Sequence, residues 1–204
     1  MDVICKYKTI KEPSGGLFRD KGSRFISFAF PVKDESGIRR LTEEIRQEHH
    51  DARHHCYAYI IGADGKTWRA NDDGEPSGTA GKPILGQIIS FGLTNVLIIV
   101  TRYFGGRLLG VSGLINAYRS AAREALIKAE IIEHLIAESY ELTFPYQAMN
   151  DVMKILKEEN IKQSDHTFGL ECRINIDLRL AEKEKVFSRF SRIEGLNYRF
   201  LASE

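Results

Sequence analysis

The residues of this chain best suited to chemistry fall between Arg53 and Arg123. One group is acidic: Asp72, Asp73 and Glu75 lie within NDDGEPSGTAGKP, a turn-rich stretch that also holds Gly74, Thr79 and Gly81. Closely spaced carboxylates can hold a hard cation or act as acid and base. The other group is basic. From Pro76 to Arg123 there is no Asp or Glu, yet Lys82, Arg102, Arg107, Arg119 and Arg123 all fall inside. Tyr103 and Phe104 offer rings for stacking beside Arg102, and Gly105 and Gly106 permit positive φ and close backbone approach. Ser112, Asn116, Arg119 and Arg123 recur at helical spacing, so a helix would carry them on one polar face. Such a face is either the solvated side of a packing helix or a positive patch for phosphate.

Other constellations promise less. His49, His50, His54, His55 and Cys56 suggest metal, but residues 54 to 56 enter an expected strand, where neighbouring side chains point to opposite faces. They cannot all converge on one ion, no third group orients a Cys-His pair, and a structural role is expected. The acidic loop lacks the alternating ligands of an EF-hand. It is not a P-loop either, because Pro76 and Pro83 occupy positions that need Gly and Ser or Thr. Gly105, Gly106, Gly110 and Gly113 do not form a dinucleotide fingerprint, and neither a cofactor nor a metal is expected. Arg102 carries an alternative of its own: following a buried strand, it could pair with Asp72, Asp73 or Glu75 and make the acidic loop a fold element.

The elements that must position these groups are legible in outline. Val96 to Thr101 is a β-branched run with the continuous apolar character of a strand covered on both faces. It meets the Gly105-Gly106 turn, and a helix is expected to open with Ser112 as its N-cap and reach about Ile131. Upstream, Pro13 to Gly16 read as a turn after a first extended segment, Ser23 to Val32 as a strand, 36 to 49 as a helix, and Cys56 to Gly62 as a strand, with another near Trp68. A short helix follows Pro83 and ends at Gly92. The result is an α+β layer. Beyond a boundary expected near Ile132 to His134, Ser139 to Phe144, a helix opened by Pro145, a pair of strands broken at Gly169, a helix over 183 to 193 and a last strand give the order βαββαβ, the split βαβ of ferredoxin-like domains. Two domains are therefore expected, 1 to 133 and 134 to 204.

Whole-chain composition permits this and excludes little. The 204 residues are 43% hydrophobic and 28% charged, ordinary for a globular protein that buries a core. Net charge is +1, but its distribution is uneven: up to Glu133 there are 19 Lys and Arg against 16 Asp and Glu, and beyond it 10 against 12. Cys5, Cys56 and Cys172 are odd in number and far apart, which argues against a disulfide scaffold or a structural zinc site. No apolar run approaches a membrane span, and a cytoplasmic protein without membrane association is expected.

DDGEPSGTAGKPIL (72–85), NVLIIVTRYFGGRLLG (95–110) and GLINAY (113–118) resemble the signature of the IMPACT family, including its bacterial YigZ-type branch. KGSRFI (21–26) and HHDARHHCYAYIIG (49–62) agree with it in order and spacing. The resemblance implies a first domain with the βαβ superfold shared by ribosomal proteins and the fourth domain of elongation factor G. It also points to regulation of translation, since eukaryotic members act in translational control through protein partners. On that reading the chain is a non-enzymatic binder of RNA or the ribosome, with Lys82, Arg102, Arg107, Arg119 and Arg123 on phosphates. The alternatives are a protein-interaction adaptor without nucleic acid, and an enzyme acting on a small anionic substrate through the Asp72/Asp73/Glu75 loop.

Overall fold

The computed structural model describes residues 5 to 203. These form five α-helices and eleven strands in three sheets, a mixed α+β architecture. The chain divides into two compact units: Tyr7–His134, and residues 135 to 203 together with Cys5 and Lys6. Cys5 belongs with the latter, its carbonyl accepting from the Ile136 N–H at 2.9 Å. Among the described residues no helix is long and apolar enough to cross a membrane.

From Lys6 to Leu135, β1 (Lys6–Ile10) is followed by β2 (Ser14–Asp20), β3 (Ser23–Pro31), α1 (Glu35–Glu48), β4 (His54–Ile61), β5 (Thr67–Asn71), α2 (Gly81–Ser90), β6 (Val96–Tyr103), α3 (Gly110–Lys128) and β7 (Ile131–Leu135). Five strands make an antiparallel sheet in the order β2-β3-β6-β4-β5. Because β3 and β4 each run antiparallel to β6, they are parallel to one another, joined by α1 and separated by the later strand.

Both faces of this sheet are covered. Val96, Ile98 and Val100 of β6 face the core built with α2 and α3, while Leu97 and Ile99 pack with Ile38 and Ile45 of α1. That is why β6 reads as an unbroken apolar run although the sheet is antiparallel: the side chains alternate, and each side meets a helix. Helix α1 starts at Asp34, whose side chain accepts from the Gly37 N–H at 2.8 Å.

Three local expectations differ from the structure. Ser14, Gly15 and Gly16 lie in β2 and are no turn. A Cβ at Gly16 would sit 2.7 Å from the Ala125 amide nitrogen, so this glycine lets β2 meet the alanine face of α3. Ser14 and Ser27 support that contact, donating to the carbonyls of Ala125 (2.9 Å) and Ala121 (2.6 Å). Ser112 is not an N-cap: α3 begins at Gly110 and has no side-chain cap. Finally, α3 ends at Lys128 and not near Ile131. The boundary expected at 132 to 134 lies in β7, which pairs with β1, and the two units divide beside it, after His134.

The second unit runs β8 (Ala137–Pro145), α4 (Met149–Glu158), β9 (Lys162–Thr167), β10 (Glu171–Arg179), α5 (Lys183–Phe190) and β11 (Asn197–Ser203), with a 3-10 turn before each helix. Its sheet is antiparallel in the order β11-β8-β10-β9. Alternate residues, Tyr140, Leu142 and Phe144 on β8 and Ile174 and Ile176 on β10, bury one face against Val152, Leu156, Val186 and Phe190 of the helices.

Candidate functional site

The acidic loop leaves β5 and wraps back over the start of α2. Asp73 adopts φ +40° and Gly74 φ +85°, which turns the chain sharply enough to bring Asp72 over the helix N-terminus. The Asp72 carboxylate accepts from the N–H groups of Gly78 (2.8 Å), Ala80 (3.0 Å) and Gly81 (2.8 Å). Burial opposes the charge, but these three amides outweigh it and hold the carboxyl below its usual range. Asp72 thus caps α2 from outside the helix, where Ala80 has no side chain to do so. Gly81 is required by the same closure, because a Cβ there would lie 2.5 Å from the Asn71 nitrogen. Thr79 adds a bond from its hydroxyl to the Pro76 carbonyl at 2.6 Å. Asp72→Ala leaves three amide donors without an acceptor and is expected to lower stability by about 1–3 kcal/mol, read as a drop in thermal midpoint by circular dichroism. An unchanged midpoint would show that water replaces the carboxylate at no cost.

Asp73 is spent in the same way. It accepts from the His55 N–H at 2.6 Å and from Arg46 at 3.1 Å; burial works against its charge, but these partners keep its carboxyl low. His54 donates from Nδ1 to the Asp73 carbonyl at 2.8 Å, and His55 donates from Nε2 to the His49 carbonyl at 3.0 Å. Burial pushes the His55 ring toward the neutral form. The histidines therefore fasten β4 to its neighbours and do not converge.

Glu75 sits deeper. Its Oε1 accepts from Arg102 Nη1 at 2.6 Å and from the Tyr118 hydroxyl at 2.8 Å, and His54 Nε2 stands 3.9 Å away. Arg102 is only 6% exposed, between the rings of Phe25 and Phe104. It is thus out of reach of a polymer phosphate, and of its two readings the ion pair is the one realised. The Cys56 thiol faces the Asp72 carbonyl at 3.0 Å and the Tyr118 hydroxyl at 3.3 Å. Burial pushes both the thiol and the phenol well above their usual pKa, so Cys56 is a protonated packing group and no nucleophile.

The remaining cations stay outside. Lys82, Arg107, Arg119 and Arg123 are exposed and none has an ion-pair partner among the described residues. Lys82 on α2 and Arg119 on α3 border one shallow depression with Gly86 and Ile115 between them, and Ser112, Asn116, Arg119 and Arg123 share the exposed side of α3. Tyr103 is partly committed: its hydroxyl meets His49 Nδ1 at 2.9 Å and the Arg24 guanidinium lies 4.8 Å over its ring. Gly105 is held against Gly22 and Ser23, while Gly106, at φ +82°, has open space around it.

The stretch that carries this arrangement is shared with known proteins. The Impact N-terminal domain family matches residues 21–126, more than half of the chain, from just before β3 into the last turn of α3. The chain belongs to the IMPACT family. It is 34% identical over 177 residues to the IMPACT family member YigZ of Escherichia coli K12, covering 84% of this chain and 87% of that one. It is 32% identical over 189 residues to YvyE of Bacillus subtilis 168, covering 93% and 85%. The Protein IMPACT homolog of Saccharomyces cerevisiae is 32% identical over 115 residues, 54% of this chain and 43% of its own. A solved structure described as a crystal structure of an hypothetical protein superposes with a TM-score of 0.72 at 29% identity, over 98% of this chain and 99% of that chain. The IMPACT segment contains every residue of the Glu75–Arg102–Tyr118 cluster and the exposed Lys82, Arg107, Arg119 and Arg123. Arg53 and Leu108 join the site in three dimensions without having been assigned a role from the sequence, and His54, weighed there only as a metal candidate, joins them. An apolar pair, Leu108-Leu109, inside a glycine turn is the signal that could have flagged it.

Proposed function

We propose that this IMPACT-family chain is a non-catalytic, translation-associated module whose first unit binds RNA or the ribosome through phosphates. One observation carries the reading: Lys82, Arg107, Arg119 and Arg123 project from a stretch without a single acid and none is neutralised by an ion pair among the described residues. Phosphate recognition needs such unspent cations. Asn116 and Ser112, on the same side of α3, add hydrogen-bonding capacity, and Phe104, 46% exposed, offers a ring for a base. The translational role follows the expectation for the family. The βαββαβ order of the second unit supports a ferredoxin-like domain there, and β3-α1-β4 with an inserted strand supports a ribosomal-protein-like first domain. The buried thiols of Cys56 and Cys172, neither in a disulfide, fit a cytoplasmic setting.

An enzyme built on the acidic loop draws less support. Asp72 caps a helix, Asp73 holds His55 and Arg46, and Glu75 is ion-paired, so none stands ready to exchange a proton with substrate.

Co-sedimentation with ribosomes and with structured RNA across a salt series tests the proposal. Binding should weaken steeply with salt, and Arg119→Glu combined with Arg123→Glu should abolish it or flatten the salt slope by roughly 1.5–2. Absence of binding at low salt, or a variant that binds like the parent, overturns the nucleic-acid reading. Binding that persists at high salt points instead to a protein partner.

A further inference from the structure

We infer that the cavity beside the Phe104–Leu109 turn is a binding site for a small organic monocarboxylate with an apolar body. The cavity has a volume of about 450 Å³, the size of a small-ligand site, and lies wholly within the first unit. Its outer wall is apolar in a way that folding alone does not require. Phe104, Leu108 and Val111 are 46%, 85% and 59% exposed, three large side chains grouped at one mouth above Leu114.

Two arginines also line the cavity. Arg53 is exposed and has no ion-pair partner among the described residues. Arg102 spends Nη1 on Glu75, but its Nε, buried, has no hydrogen-bond partner at all. With Glu75 also lining the cavity, the formal charge of Arg53, Arg102 and Glu75 sums to +1. One negative charge on a ligand balances it; a phosphate dianion would bring a second beside buried Glu75.

The start of α3 adds a directional element. Asp34 caps α1 and Asp72 caps α2, whereas α3 has no side-chain cap, and its first residues, Gly110 and Val111, line this cavity. Their N–H groups and the helix dipole favour an anion at that point. A carboxylate held by Arg53 and the α3 N-terminus leaves its apolar body over Phe104, Leu108 and Val111. This site shares Phe104 with the surface proposed to meet RNA but none of its four cations.

Titration of the full-length protein with phenylpropionate and hexanoate, followed by amide NMR shifts and calorimetry, tests the inference. Saturable binding at millimolar or lower concentration is expected, with the largest shifts at Phe104, Gly110 and Val111. Phenylpropionamide should bind at least about tenfold more weakly, the worth of one charge-assisted contact, and phenethylamine not at all. Arg53→Gln should bring the carboxylate down to the affinity of the amide without changing the amide. Leu108→Glu, at a position too exposed to disturb the fold, should weaken both carboxylates. The inference falls if neither carboxylate saturates, if the amide binds as well as the acid, or if the shifts gather elsewhere.

Discussion

Glu75→Ala is expected to lower stability by about 3–5 kcal/mol, the cost of leaving a buried charge without its partner. Arg102 cannot turn to solvent: it is paired on β6 with Phe25 and His54 across two neighbouring strands and sits between two aromatic rings. The same substitution takes the acceptor from the buried Tyr118 hydroxyl. Denaturant unfolding reads the loss as a lower midpoint at unchanged slope. Glu75→Gln keeps the acceptor oxygen but removes the charge, and should fall between parent and alanine variant. Combining Glu75→Leu with Arg102→Met should recover much of the loss, because exchanging both members of a buried pair for apolar groups is close to neutral. If Glu75→Ala unfolds at the parent's midpoint, the ion pair does not tie the loop to β6.

Gly105→Ala is the second large effect. The added methyl would stand 2.0 Å from the Gly22 carbonyl carbon and 2.2 Å from the Ser23 nitrogen. Both are backbone atoms, so no rotamer change relieves the clash, and the turn must move away from the β2–β3 hairpin. The loss should reach or exceed the roughly 1–3 kcal/mol of ordinary overpacking, and the bond from the Gly105 N–H to Ser23 Oγ at 3.2 Å goes with it. Gly86 supplies the contrast. It is helical with nothing within 4 Å of an added Cβ, so Gly86→Ala should raise stability by about 0.5–1 kcal/mol. Opposite shifts in thermal midpoint are the expected result; equal shifts would contradict the close approach at Gly105.

Much of the fold was legible because it rests on local pattern. The 96 to 101 run announced a covered strand, and an arginine after a buried strand already suggested an acidic partner. What escaped depends on contacts between distant residues. Ser14, Gly15 and Gly16 have the composition of a turn, yet Gly16 answers to Ala125 far along the chain. Asp72 looked like a candidate ligand because nothing in its neighbours reveals that the loop folds its carboxylate onto Gly81. Ser112 offered a hydroxyl at a plausible helix start, but Gly110 and Val111 already belong to α3. The cavity escaped for a similar reason: Arg53, Glu75 and the Arg102–Leu108 stretch come from three separate parts of the sequence.

The placement of β6 also bears on the order of events during synthesis. When the ribosome has released the chain only as far as Gly92, β2 with β3 and β4 with β5 can close as two separate hairpins, each missing its inner neighbour. They cannot take their final places in one sheet, because the strand that lies between them has not yet emerged. The nascent chain then carries two apolar strand edges at once, the situation in which wrong pairings form. Emergence of Val96 to Tyr103 closes both edges in one step, and the Ala-rich side of α3 follows at once to cover the sheet.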